Sequence, residues 1–192
     1  MSEEGRAFLD KAFQVKITPT VSRGDRSPVL AEQEASSTEV PEDEGVELRR
    51  TADGKGDGVW VTRPFAAGET VMVGFLVASL TGNDAHATQV GPGRWARHGG
   101  LGPMINHSCD PTVWLDGAFS LVARKALLAG DEITVDYATF STVPASSMRC
   151  RCGARRCRGV VTGNDWRLPE LYDDYGDRWS AHARRLIASL RA

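Results

Sequence analysis

Four cysteines constrain this chain of 192 residues more than any other feature. Cys150, Cys152 and Cys157 form a C-x-C-x4-C run, and Cys109 stands far before it. Four thiolates complete the tetrahedral shell of a structural zinc ion. Two disulfides, or four unligated thiols, are the alternative, but the spacing favours zinc. A metal ion bound here would tie two distant parts of the chain together.

Composition indicates an ordinary globular protein, with 41% hydrophobic and 25% charged residues. No apolar run approaches the roughly 20 residues that span a bilayer, so no membrane association is expected. The polar start shows no signal peptide, which predicts a cytoplasmic protein with reduced thiols. The net charge of -2 offers no basic footprint, so direct nucleic-acid binding is not expected.

The amino-acid pattern of the chain changes near residue 46. Residues 1–45 predict an N-terminal segment that is partly a disordered acidic linker, with seven acids and no base from Ala31 to Leu48. Short β-prone runs separated by Gly, Pro and Asp then predict a mainly β fold. After Trp166 the pattern predicts one C-terminal helix. Its apolar stripe comprises Leu171, Tyr175, Trp179, His182, Leu186 and Leu190.

Three further segments carry polar or glycine-rich motifs. Residues 54–60 place glycines at alternate positions before a strand, which allows backbone to approach a ligand closely. Residues 106–111 read Asn-His-Ser-Cys-Asp-Pro, and residues 130–137 read Gly-Asp-Glu-Ile-Thr-Val-Asp-Tyr. Each motif by itself has an ordinary structural explanation as a turn or a loop.

Taken in order, these motifs and the cysteine run resemble SET domains that carry a post-SET zinc motif, and in particular small stand-alone microbial SET proteins. The resemblance extends from about Val46 to Gly163. It implies a β-clip of small sheets with a pseudoknot that brings Asn106 and His107 beside Tyr137. The implied boundaries are a SET domain at 46–148, a post-SET zinc motif at 149–163 and a C-terminal helix at 164–192.

The resemblance also implies an S-adenosylmethionine-dependent N-methyltransferase that acts on a protein lysine ε-amine. Tyr137 matches the catalytic tyrosine beside the transferring methyl. The implied cofactor-binding residues are Lys55, Gly56, Asp57, Gly58, Trp60, Asn106, His107, Tyr137 and Val160. The implied ligands of a structural zinc are Cys109, Cys150, Cys152 and Cys157.

Departures from the family pattern keep the substrate open. Tyr137 is the only one of three tyrosines in the SET-like core, so Phe75, Trp95, Phe119 and Phe140 would have to line the lysine channel. A small amine or amino-acid-like metabolite is therefore an alternative substrate. A non-catalytic zinc-bearing interaction module is a third hypothesis, which Asn106, His107 and Tyr137 together argue against. The sequence predicts neither the number of methyl groups transferred nor the oligomeric state.

Overall fold

A computed structural model describes residues 45–51, 55–84, 86–117 and 120–192. The N-terminal segment predicted for residues 1–45 therefore lies, except for Gly45, outside the described residues, as do Gly54 and Phe119. The described part is mainly β, with twelve short strands followed by two helices. The predicted mainly β class is confirmed.

The strands form four small sheets. The first has the order β1-β2-β10-β7, the second β3-β9-β8, the third β4-β6-β5 and the fourth β11-β12. The strand bounds are Val46–Arg50 (β1), Asp57–Val61 (β2), Thr70–Met72 (β3), Leu76–Leu80 (β4), Ala87–Gly91 (β5), Arg94–His98 (β6), Asn106–His107 (β7), Val113–Asp116 (β8), Ser120–Ala123 (β9), Glu132–Val135 (β10), Ser147–Arg149 (β11) and Val160–Thr162 (β12).

The main core lies between the first two sheets. Val59 and Val61 of β2 point inward with no exposed surface, as does Ile133 of β10. Because side chains alternate across a strand, Gly58 and Glu132 lie on the opposite face. Alternation thus places apolar residues in the core and leaves a polar face beside β7.

Parallel pairing of β10 with β7 positions the site. Thr134 pairs with Asn106, and Val135 pairs with His107. This pairing sets the Asn106-His107 block beside the segment that leads into Tyr137, as the resemblance implied.

The segment between β4 and β7 contains two strands that the sequence pattern did not predict. In β5 and β6 the burial pattern has no regular apolar alternation, and the turn between them contains Gly93 at φ 62°. Both strands pair antiparallel, with β6 in the centre of the third sheet. Their apolar content is low, which is why periodicity alone missed them.

The C-terminal region is helical, as predicted, but it forms two helices rather than one. Helix α1 spans Pro169–Tyr175 and helix α2 spans Ala181–Arg191. Gly176 stands at φ 49° after α1, a conformation that continues no helix, and Ser180 caps α2 by accepting a hydrogen bond from Ala183 N–H. Neither helix is long and apolar enough to cross a membrane, and no other helix among the described residues is.

The predicted apolar stripe is buried over most of its length despite the break. Leu171, Tyr175 and Trp179 form one cluster with Trp166 and Ala138, the residue after Tyr137. Leu190, the last member of the predicted stripe, is exposed. The helices therefore pack directly behind the segment that carries Tyr137.

Candidate active site and metal centre

The four cysteines meet at one point. Their sulfur atoms all lie within 4.8 Å of one another, and none forms a disulfide. Cys109 Sγ and Cys150 Sγ are 3.8 Å apart. A tetrahedral zinc with Zn–S bonds of about 2.3 Å requires a sulfur separation of about 3.8 Å, whereas a disulfide requires about 2.05 Å. The cluster therefore fits a metal ion and does not fit two disulfides.

Backbone groups around the cluster support negative charge on sulfur. Arg158 N–H donates to Cys109 Sγ at 3.3 Å, and Cys109 N–H donates to Cys152 Sγ at 3.5 Å. Burial raises the pKa of Cys109 to about 11. Burial also opposes ionisation of Cys152, but the N–H groups of Cys109 and Ala154 outweigh it and lower its pKa to about 6. The N–H donors therefore favour a thiolate at Cys152, whereas burial opposes one at Cys109.

His107 connects this cluster to Tyr137. Its Nδ1 accepts a hydrogen bond from Tyr137 N–H at 3.2 Å, so in a neutral ring Nε2 carries the proton. Nε2 lies 3.2 Å from Cys109 Sγ, to which it donates. Burial lowers the pKa of His107 to about 4, and the charge of Asp136 opposes this effect only in part. The imidazole ring is therefore neutral at pH 7. Both ring nitrogens are engaged, so only the backbone of His107 remains for a ligand.

The Tyr137 hydroxyl donates to the carbonyl oxygen of Ile105 at 2.9 Å. The ring lies between those of His107 and Phe140, with centroid distances of 5.2 and 5.5 Å. Burial, together with the charge of Glu132, raises the pKa of Tyr137, so the phenol stays protonated. With its proton held by Ile105, the hydroxyl oxygen presents its lone pairs to the surroundings.

Two cavities adjoin these residues. The larger has a volume of about 550 Å³ and is lined by the predicted residues Lys55, Asp57, Asn106 and Tyr137. The smaller, of about 250 Å³, adjoins His107 and Cys152 and shares Lys55 with the larger. The structure thus brings together six of the predicted residues around two cavities that share Lys55 as a lining residue.

The other predicted cofactor residues lie outside both cavity linings. They are Gly56, Gly58, Trp60 and Val160. Gly56 has a φ of 94°, which favours glycine. A Cβ at Gly58 would stand 2.8 Å from both Asn106 Nδ2 and Glu132 Oε1. Gly58 therefore lines neither cavity, and its missing side chain leaves room for these two polar side chains.

Glu132 is a site residue that the sequence interpretation missed. Its carboxylate accepts a hydrogen bond from Asn106 Nδ2 at 2.8 Å and pairs with Lys55 Nζ at 3.3 Å. Asn106 Nδ2 also donates to the carbonyl oxygen of Asp57 at 3.2 Å. The available signal was period two in β10, where polar Glu132 and Thr134 alternate with apolar Ile133 and Val135.

A second missed group surrounds Asp136, whose side chain has no exposed surface. Arg158 donates two hydrogen bonds to this carboxylate, each at 2.7 Å, and Tyr175 Oη donates a third at 2.8 Å. Burial alone would raise the pKa of Asp136, but Arg158 holds it below the usual value. No spacing rule links these residues, so sequence could not find them.

The walls of the larger cavity agree with part of the prediction. Phe75 and Phe140 line it, whereas Trp95 does not, and Phe119 lies outside the described residues. Met104 and Val143 add apolar surface. Residues between β4 and β7 supply one side, including Asp84 and His98.

Comparison with known proteins identifies the domain. Residues 56–138 match the SET domain family. The histone-lysine N-methyltransferase ash1 of Drosophila melanogaster is 34% identical over an alignment of 152 residues that covers 66% of this chain and 7% of that protein. The human histone-lysine N-methyltransferase 2B is 35% identical over an alignment of 68 residues that covers 32% of this chain and 2% of that protein.

Among solved structures, KRYPTONITE in complex with mCHG DNA and SAH has a TM-score of 0.50 at 22% sequence identity. That similarity covers 60% of this chain and 28% of the other, and it shows a shared fold. Residues 56–138 are therefore a SET domain, and the chain has the SET fold that its motifs predicted. The chain spans less than a tenth of the two curated relatives described above.

Proposed function

We propose that this protein is an S-adenosylmethionine-dependent methyltransferase that methylates a lysine ε-amine of a protein. The observation that carries the proposal is the meeting of Tyr137, Asn106 and Lys55 at one cavity inside a SET domain. Support comes from the relatives, which are named histone-lysine N-methyltransferases, and from KRYPTONITE, whose structure was solved in complex with SAH.

The residues present fit this cofactor. Lys55 and Glu132 set a cation and an anion side by side next to Asn106, which suits the carboxylate and ammonium of an amino-acid end. The backbone of His107 and the exposed side chain of Val160 remain for the adenine end. When bound, the cofactor supplies a methyl group on a positively charged sulfur.

Tyr137 has the geometry of the alignment residue. Its hydroxyl proton is held by the Ile105 carbonyl, so its oxygen can accept weak C–H···O contacts from a polarised methyl. Methyl transfer from a sulfonium is an in-line displacement and needs alignment more than acid catalysis. The role of Tyr137 is therefore to position and stabilise, with its phenol protonated throughout.

The lysine must arrive as a neutral amine. At pH 7 this costs about 4–5 kcal/mol for a free lysine of pKa about 10.4. Apolar walls formed by Phe75, Met104 and Phe140 disfavour the ammonium form and offset part of that cost.

We also propose one structural zinc per chain, held by Cys109, Cys150, Cys152 and Cys157. Four sulfur ligands close the coordination shell, which leaves no position for a catalytic water. The unpaired state of all four cysteines is also consistent with the reducing cytoplasm that we propose as the location.

The test is incubation of the purified protein with methyl-labelled S-adenosylmethionine and a cell lysate split into protein and metabolite fractions. Label on lysine in the protein fraction, reduced by the variant Tyr137→Phe, is the expected result. Label in the metabolite fraction would instead support the small-amine alternative. Absence of label from both fractions would contradict methyltransferase activity and leave the interaction-module hypothesis.

A further inference from the structure

The buried carboxylate that precedes Tyr137 accepts three of its four hydrogen bonds from residues distant in the chain. Asp136 accepts two hydrogen bonds from the Arg158 guanidinium and one from the Tyr175 hydroxyl. Ala138 N–H donates a fourth at 2.9 Å, so Asp136 also caps the 3-10 turn at Tyr137–Thr139. The side chain that fixes this turn is thus itself fixed from outside the sheet.

Arg158 belongs structurally to the cysteine cluster. It follows Cys157 directly, and its backbone N–H donates to Cys109 Sγ. Its Nε donates to Asp165 Oδ2 at 2.8 Å, which fixes the plane of the guanidinium. The position of the guanidinium is thus tied to the cysteine loop through its own backbone and to Asp165 through its side chain.

Tyr175 brings the helices to the same point. It is the last residue of α1, and its ring packs edge-on against Trp114 at a centroid distance of 5.4 Å. Three separate pieces of chain, the SET domain, the cysteine loop and α1, therefore converge on one carboxylate. Because a buried charge that loses its partner is strongly unfavourable, the arrangement is close to all-or-none.

We propose that Arg158 is a positioning residue that couples the folded cysteine loop to Tyr137 through Asp136, with Tyr175 completing the contact. This inference rests on the proposed function in assigning the reaction to Tyr137. A purely stabilising ion pair is the simpler alternative, and it would affect unfolding without changing the environment of Tyr137 in the folded protein.

Arg158→Lys is the informative substitution. Lysine keeps the positive charge but lacks the planar fork that makes two parallel hydrogen bonds. Arg156→Gln is the matched control, because Arg156 links the same loop to α1 through Asp174 at an exposed position and does not contact Asp136. Tyr175→Phe removes only the hydroxyl that donates to Asp136. It is the second test variant, to be used if Arg158→Lys fails to fold.

The direct readout is the NMR spectrum of protein labelled at the ζ carbon of tyrosine. The chain has only three tyrosines, so three signals are expected, and Tyr137→Phe assigns one of them. Spectra are recorded with and without S-adenosylhomocysteine, and zinc content is measured on each sample. These measurements need no substrate and no turnover.

In Arg158→Lys we expect full zinc content, a shifted or broadened Tyr137 signal, and a Kd for S-adenosylhomocysteine changed by less than about threefold. On the labelled fraction, kcat falls about tenfold, equivalent to about 1.4 kcal/mol. Arg156→Gln matches the unsubstituted protein in each measurement. An unchanged Tyr137 signal in both Arg158→Lys and Tyr175→Phe, or loss of zinc in step with the change in signal, would overturn the coupling.

The coupling and the proposed function can fail separately. If no fraction accepts methyl label but the Tyr137 signal responds to Arg158→Lys at full zinc content, the coupling is supported and the enzymatic role of Tyr137 is rejected. If label is transferred but the signal does not respond, the function is supported and the coupling is rejected.

Discussion

The β core and the C-terminal region are held together by different forces. In the core, side chains such as Val59, Leu127 and Ile133 have no exposed surface and contribute through apolar burial. From Ser147 onward, position depends on a second apolar cluster around Trp166 and Trp179 and, in addition, on four sulfur atoms and the ion pairs of Arg158. Apolar burial is tolerant of detail, whereas a polar network is stabilising only when every member is satisfied. The segment around Tyr137 contacts both the apolar core and this polar network.

Removal of the metal is the strongest way to separate the two regions. We expect Cys150→Ser to lose zinc and to lower Tm by at least about 10 °C, because metal binding to such a site contributes directly to folding. Cofactor binding and turnover should be lost, since the loop that carries Arg158 is no longer fixed. Elemental analysis, thermal denaturation and calorimetric titration with S-adenosylhomocysteine measure these effects.

Arg149→Ser is the control for the metal prediction, because Arg149 is the exposed neighbour of Cys150. It should retain one zinc per chain and a Tm within about 2 °C of the unsubstituted protein. Retention of activity in Cys150→Ser without metal would show that the C-terminal region docks independently of the cysteines.

The opposite perturbation acts on the core alone. Leu127 is fully buried, so Leu127→Ala is expected to reduce the free energy of unfolding by about 2–5 kcal/mol. Leu128 is 67% exposed, and Leu128→Ala should change the free energy of unfolding by less than about 0.5 kcal/mol. Chemical denaturation measures both values. In Leu127→Ala, protein that remains folded should keep its zinc; coincident loss of metal would mean that the two regions fold as one unit.

Sequence pattern predicted the core well because apolar alternation is a local signal. It predicted β2 and β10, whose inward positions are Val59, Val61 and Ile133. It missed β5 and β6 because these strands carry few apolar residues and form by pairing with each other and, for β6, with β4. It also predicted α1 and α2 as one continuous helix, because the apolar stripe continues in register across the break. The break itself depends on the backbone conformation at Gly176.

Gly58→Ala tests the polar face without disturbing the core. The added methyl meets Asn106 and Glu132, so one of them must move at a cost of about 1–3 kcal/mol. We expect affinity for S-adenosylhomocysteine to fall about 10- to 100-fold, measured by calorimetric titration. Gly82→Ala is the control, since a Cβ there meets nothing within 4 Å. Equal affinity in both variants would remove Asn106 and Glu132 from the cofactor site.

The site was predictable to the extent that its residues lie in motifs. Motif order predicted the approach of the Asn106-His107 block to Tyr137 and the meeting of the four cysteines, which the structure shows. It gave no indication of Asp136 paired with Arg158, because this contact joins residues 22 apart that share no local pattern. Resemblance identifies the parts of a site, whereas the long-range contacts that fix them require the fold.

Tyr137→Phe probes the point where the two regions meet. The substitution removes the hydroxyl that donates to Ile105 and keeps the ring between His107 and Phe140. We expect kcat on the labelled fraction to fall at least about tenfold, about 1.4 kcal/mol of transition-state stabilisation, with little change in cofactor affinity. Tyr172→Phe, which changes an aromatic ring of the helical cluster, is the control. Undiminished turnover in Tyr137→Phe would reject its assigned role.

The smallest effect is expected at the start of α2. The Ser180 hydroxyl accepts a hydrogen bond from Ala183 N–H, and its backbone N–H donates to the Thr139 carbonyl behind Tyr137 at 2.8 Å. Ser180→Ala removes only the cap, which should reduce the free energy of unfolding by about 1 kcal/mol. Turnover should be unchanged, because the backbone contact to Thr139 remains. Ser189→Ala, at an exposed position of the same helix, should change neither quantity. Turnover is measured beside the denaturation curve of each variant. A fall in turnover in Ser180→Ala would mean that the helix cap itself contributes to the position of Tyr137. The start of α2 would then belong functionally with the segment that carries Tyr137.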